Sequence, residues 1–217
     1  MAFYSESQRQ LQDRFESRQL ADTLEERIVN DHIDELTRPF VETRDFFFLS
    51  TVNSNGEPTV SYKGGDVGFI RVVDPQTLAF PMYDGNGMFL SAGNIADTAK
   101  IGMLFIDFET PHRIRVQATA SVDPDDPLMG EYPGALLVVR AKIDQAFFNC
   151  ARYIHTHTRV ATSPYVPDED GEQPFPAWKR LDAVQGSLPP EARERTEAEG
   201  GPITEDEYAV RLLTGES

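Results

Sequence analysis

One cysteine, Cys150, and one tryptophan, Trp178, stand in a chain of 217 residues. A single thiol cannot close a disulfide within the chain, so no covalent staple holds the fold, and a reducing, cytoplasmic setting is the expectation. No stretch approaches the roughly 18 continuous apolar residues of a spanning helix. The start, MAFYSESQRQLQDRFESRQ, is polar and charged where a secretory signal needs an apolar core. No membrane partner is therefore expected. Positive charge is also scarce. Twenty Lys and Arg face 36 Asp and Glu, a formal net charge of −16, which disfavours nucleic acid and anionic lipid as partners. His155 and His157 in IHTHT share a face if that segment is extended, but no Cys, Asp or Glu stands at a neighbouring ligand spacing. No metal site is expected there.

What remains is a chain built to fold. The apolar fraction is 40% and aromatic residues make up 10%, enough for a sizeable core, and the length suits a single domain. Three stretches differ in character. Residues 1–44 are rich in Gln, Arg, Glu and Leu, with Leu11 and Phe15, then Leu20, Leu24 and Ile28, at helical spacing. Two helices are expected there, broken at Asn30 and Asp31, which would cap the second helix carrying Ile33, Leu36 and Phe40. Residues 45–160 hold strands. Residues 161–217 begin as a proline-punctuated extended segment and end in an acidic tail from Leu188, expected to be mobile or docked on another subunit.

Within the middle stretch, Phe46 to Val52 ends at Asn53-Ser54-Asn55-Gly56, a strong hairpin turn, and Pro58 to Tyr62 reads as the returning strand. Further strands are expected at Gly68 to Val73, Thr77 to Phe80, Ile101 to Phe108, Arg113 to Val122 and Ala135 to Ile143, with a short helix over Met88 to Ala99. Many antiparallel strands with one inserted helix imply a mainly β fold, a Greek-key or up-and-down barrel, rather than a parallel α/β sheet.

Glycine clusters alternate with these strands between Thr59 and Phe108. Glycine lets an anion approach main-chain N–H groups closely, and a helix starting just after such a turn aims more N–H groups and a partial positive charge at it. Gly64, Gly65 and Gly68 do not make a dinucleotide fingerprint, because no strand-to-helix unit with a following acidic residue surrounds them. Arg113 and Arg115, two apart in HRIRV, point to one face of a strand and supply paired positive charge. Asp107 is expected to pair with an arginine rather than to relay protons.

Taken in order, RDFFFLSTVNSNGEP, SYKGGDVGFIRV, LAFP, YDGNGMFLSAGNI, GMLFIDF, HRIRVQATASV, FFNCARYIH and PAWKRLD resemble the pyridoxamine 5′-phosphate oxidase-like family of flavoproteins, over about Tyr4 to Asp182. The resemblance implies an FMN-binding split barrel of about six antiparallel strands with N-terminal and peripheral helices. It also implies a homodimer with two FMN sites between the subunits. It places Ser61, Lys63 and Gly64 beside the flavin, and Asn86, Gly87 and Met88 in the turn entering the helix that faces the phosphate. It gives Arg113 and Arg115 a place in the same cofactor site. Asn149, Cys150, Arg152 and Trp178 would approach from the partner subunit.

Some positions depart from the family pattern. Ser61 stands where the oxidases have a flavin-gripping arginine, Ala151 where related sequences tend to have proline, and Ala118 where glycine is usual. The clusters that hold a substrate phosphate have no clear counterpart in SVDPDDPLMGEYPG or PAWKRLD, which speaks against oxidation of vitamin B6 phosphates. The expectation is an FMN-dependent oxidoreductase moving a hydride or electrons to a small molecule or to oxygen, with no residue marked as general acid or base. The alternatives are a noncatalytic flavin- or haem-binding module and a structural dimer with an empty barrel.

Overall fold

The computed structural model describes residues 3–215. Seven strands form one antiparallel sheet: β1 (Phe46–Val52), β2 (Pro58–Gly64), β3 (Arg71–Asp74), β4 (Thr77–Tyr83), β5 (Lys100–Asp107), β6 (His112–Asp123) and β7 (Ala135–Asn149). Their order is β2-β1-β5-β6-β7-β4-β3, so β1 to β5 and β4 to β7 are crossovers between strands distant in sequence. This is the mainly β split barrel with added helices that the family resemblance implies, carrying one strand more than the six expected. One compact unit ends at Gly171 and a second starts at Glu172.

Period-two alternation explains the core. In β1 every second residue, Phe47, Leu49 and Thr51, is buried, and in β6 Ile114, Val116, Ala118 and Ala120 do the same. Phe47 packs edge-on to Phe80 at 5.0 Å and lies 5.3 Å from Phe105. The opposite face carries a row in register across five strands: Tyr62, Phe48, Leu104, Arg115 and Phe147. Tyr62 is 62% exposed, and its ring stacks on Phe46 at 5.3 Å, which stacks in turn on Phe108 at 5.8 Å.

Four sequence expectations shift. The N-terminal helices are α1 (Glu6–Arg14) and α2 (Arg18–Ile28), broken at Phe15 to Ser17 rather than at Asn30. Asn30 instead exchanges both backbone hydrogen bonds with Ala146. The segment after it does not become a long helix, because Asp34 Oδ1 accepts from the N–H groups of Leu36 and Thr37, a local turn that competes with helix formation. Only α3 (Arg38–Glu42) follows, with Pro39 in its first turn. Third, β7 runs to Asn149, not Ile143. Polar Asp144 and Gln145 read as a strand end, but a bulge opposite Gln117 and Ala118 carries the pairing past them. Fourth, the acidic tail is ordered into α5 (Pro190–Ala198) and α6 (Glu205–Thr214). A Thr204–Glu207 capping box starts α6.

Between β4 and β5, α4 (Leu90–Thr98) lies against β1 and β6. Asn94 is 7% exposed and donates from Nδ2 to Thr51 Oγ1 at 2.9 Å and to Thr59 Oγ1 at 3.3 Å. Thr98 Oγ1 donates to the Val52 carbonyl at 2.8 Å. These bonds fix the helix over the first hairpin. Asp107, as expected, pairs with an arginine: Arg44 Nη1 is 2.8 Å from its Oδ2.

Candidate functional site

The end of β2, the end of β4 and the start of α4 converge on a cleft of about 370 Å³, within the size range of small-molecule sites. Alternation on β2 turns Ser61 and Lys63 to one face, and both line the cleft with Gly64. The turn from Tyr83 to Gly87 forms another wall. Its shape is set locally: Gly87 has φ 74°, where a side chain is strained, and Asn86 Oδ1 accepts from the Met88 N–H at 3.0 Å. The first residues of α4 complete the wall, and Ser91 Oγ stands 3.3 Å from Ser61 Oγ.

Two features favour an anion in this cleft, whose lining also carries the carboxylate of Asp84. Burial holds the Lys63 ammonium below the usual lysine range, and among the described residues no carboxylate lies within ion-pair distance of it. Helix α4 starts without a side-chain cap, so its first N–H groups keep their capacity to donate. An uncompensated ammonium and a free helix start suit an anion. Tyr62, Tyr83, Phe89 and Leu136 add flat and apolar surface.

Ser61, Lys63, Gly64, Asn86 and Gly87 thus share one cleft. Met88, named with them from sequence, is 63% exposed and outside the lining. Arg113, Arg115, Asn149, Cys150 and Arg152 form a different cluster. Arg113 is paired with Asn149 across β6 and β7, and Arg115 lies over Phe147 at 5.8 Å. Arg113 Nε and Asn149 Oδ1 are buried and make no hydrogen bond to a described residue. Arg152 donates to Cys150 Sγ from its backbone N–H at 3.5 Å and from Nε at 3.3 Å. Those donors hold the exposed thiol below its usual value. Trp178 belongs to the unit that starts at Glu172, half-buried on a short 3-10 turn over Ala177–Arg180.

Sequence reasoning missed Tyr83, Phe89 and Ser91. Tyr83 ends a strand whose full length the pattern did not reveal, and Ser91 occupies the first turn of a helix whose start was placed two residues early. Phe89 carried no signal, since an aromatic residue is disfavoured in the conformation it adopts.

The sequence profile described as pyridoxamine 5′-phosphate oxidase matches residues 33–150, more than half of the chain. The chain belongs to this family. The profile spans the whole sheet, α4 and both clusters except Arg152. Among solved structures, HupZ from Group A Streptococcus is 17% identical, with a TM-score of 0.45, the match covering 58% of this chain and 99% of that one. A candidate pyridoxamine 5′-phosphate oxidase from Lactobacillus delbrueckii is 26% identical, with a TM-score of 0.44 and coverage of 54% and 95%. HutZ of Vibrio cholerae, described as a haem storage protein, is 20% identical, with a TM-score of 0.41 and coverage of 54% and 94%. No curated protein sequence matches the chain. Among the described residues no helix is long and apolar enough to cross a membrane.

Proposed function

We propose that this member of the family is an FMN-dependent oxidoreductase that works as a homodimer, passing a hydride or electrons between the flavin and a small molecule or oxygen. The observation that carries the reading is the cleft itself, where Lys63, without a carboxylate partner, and the uncapped start of α4 meet the walls of Tyr62, Tyr83 and Phe89. An anionic ligand with a flat ring system answers both halves of that chemistry.

The residues present fit FMN. Lys63 and the N–H groups at the start of α4 would hold the phosphate, and the hydroxyls of Ser61 and Ser91 lie beside them. When bound, FMN supplies hydride transfer at N5 of its ring. This chain's own part is to bind, orient and keep water from the ring with aromatic walls. The partly exposed row of Tyr62, Phe48, Leu104, Arg115 and Phe147 is a mostly apolar face suited to a second copy.

The test is to release and identify the small molecule that copurifies with the protein, then to measure melting with added FMN and the oligomeric state by sedimentation. Ligand at about 100 times its dissociation constant stabilises the native state by about 2.7 kcal/mol. No shift with FMN, or a monomer at micromolar concentration, would overturn the reading. Oxidation of a reduced nicotinamide by the FMN-loaded protein separates a reductase from a noncatalytic flavin carrier.

A further inference from the structure

Helix α4 is bracketed by two non-glycine residues in left-handed conformation: Phe89 at its start, with φ 49° and ψ 27°, and Ala99 at its end, with φ 57° and ψ 1°. Such residues crowd their own Cβ against the following carbonyl and persist only where their surroundings hold them there. For Ala99 the reason is structural. Its N–H closes the helix on the Ile95 carbonyl at 2.9 Å, and its carbonyl accepts from the Ala120 N–H at 2.7 Å. It lies outside the cleft lining.

Phe89 has only part of this reason: its carbonyl accepts from the Gly93 N–H at 2.8 Å, a bond within the helix that does not tie it to another element, and it gives α4 no side-chain cap. With the residue 55% exposed, its ring is not a core side chain. What the conformation achieves is to set that ring on the wall of the cleft that also carries Tyr62 and Tyr83, one residue before the uncapped start of the helix. A bulky aromatic in a strained backbone at the rim of a binding cleft marks a position where binding, rather than folding, determines the residue.

We propose that Phe89 is the specificity-determining residue of the cleft, its ring held at the rim as the stacking wall for the flat heteroaromatic part of the ligand. This rests on the flavin reading above. Lys63 and the start of α4 take the anionic end of the ligand, and Phe89 selects for the ring.

The experiment compares Phe89→Ala, Phe89→Gly, Phe89→Tyr and Ala99→Gly in the full chain, with FMN and riboflavin as probes for fluorescence titration and with melting measured in the absence of flavin. Both Phe89→Ala and Phe89→Gly should weaken FMN about tenfold, the scale of one lost aromatic stack, and should weaken riboflavin, which lacks the phosphate, by the same factor. Phe89→Tyr should bind within about twofold of the unaltered protein. Glycine relieves the left-handed strain that alanine keeps. Phe89→Gly should therefore melt about 2–4 °C above Phe89→Ala, and Ala99→Gly should melt higher than the unaltered protein with flavin binding unchanged. Unaltered flavin binding in Phe89→Ala, a loss confined to FMN, or equal melting of the glycine and alanine variants would each overturn the proposal. Failure of the unaltered protein to bind either flavin would overturn the reading beneath it, an outcome visible before any variant is compared.

Discussion

Arg113 and Asn149 face one another across the β6–β7 ladder, and each buries a polar atom, Nε and Oδ1, that bonds no described residue. Leaving a buried donor or acceptor unmade costs about 1–3 kcal/mol, whereas replacing both by apolar groups of similar shape is nearly neutral. The double variant Arg113→Met, Asn149→Leu should therefore melt within about 3 °C of the parent without ligand and retain FMN at least tenfold less well. Melting curves and fluorescence titration check the two halves. A large loss of melting temperature with FMN retention intact would show that the pair serves the fold instead.

Lys63 supplies a prediction about pH. Its ammonium loses water on burial, so its pKa is lower in the folded chain than in the unfolded one. Below the folded pKa the desolvated charge works against folding; that penalty fades as pH rises through the folded pKa and is gone above the unfolded value. At pH 7 Lys63→Met should accordingly melt no lower than the parent. A phosphate group beside the amine reverses the preference and favours the charged form. FMN affinity of the parent should fall as pH rises through the Lys63 titration, and Lys63→Met should show both weaker binding and a flatter profile. Isothermal titration at several pH values measures this; an unchanged affinity in the variant would remove Lys63 from the site.

Much of this could be read from local pattern. The β1–β2 hairpin announced itself through Asn53-Ser54-Asn55-Gly56, and Asn53 Oδ1 accepts from the N–H groups of Asn55 and Glu57, the turn chemistry that such residues favour. Lys63, Asn86 and Gly87, which the family resemblance groups in one site, share the cleft because the end of β2 and the glycine turn both meet the helix start. Phe89 and Ser91 were not legible, since their role depends on where α4 sits, and that is fixed by Asn94 reaching Thr51 and Thr59 some 43 and 35 residues away in sequence. The tail was misread for a related reason: charge-rich composition suggested disorder, while the Thr204–Glu207 capping box and the Leu181–Ile203 bridge organise it.

The ion pair of Arg44 and Asp107 predicts acid sensitivity. Burial alone would raise the Asp107 carboxyl, but the N–H groups of Thr110 and Glu109 and the Arg44 guanidinium outweigh it and hold the group below the ordinary carboxylate range. A depressed carboxylate pKa contributes stability that is present above the unfolded value and is lost as pH falls through the folded one. Asp107→Asn keeps the backbone acceptor and loses the charge, so at pH 7 it should cost about 1 kcal/mol after solvent screening, or about 2–4 °C. The gap should close as the parent is acidified through the Asp107 titration, because the parent then loses the same pairing. A gap that stays constant down to pH 3 would contradict the assignment.

Asn94 offers the sharpest test of how the cleft is held. Thr51 and Thr59 bond each other at 2.9 Å through their hydroxyls, so Asn94→Ala leaves them paired and removes only the tether from α4. The expected cost is about 1–2 kcal/mol, together with weaker FMN binding because the helix start loses its fixed place beside Ser61. Asn94→Asp is a harsher change of nearly equal size. It puts a carboxylate where the residue is 7% exposed, with two hydroxyls to bond and no described cation in ion-pair contact with either threonine or the helix position. Burial would raise that carboxyl's folded pKa above its unfolded value. The stability it permits is then fully present below the unfolded pKa and is lost as pH rises through the folded one. Against the parent, Asn94→Asp should be close at pH 4 and worse by about 3 kcal/mol at pH 7, a gap that opens as pH rises. Urea titrations of the variant and the parent at the two pH values measure it directly, and a gap that stays constant between them would show that Asn94 is not enclosed by the α4–hairpin contact.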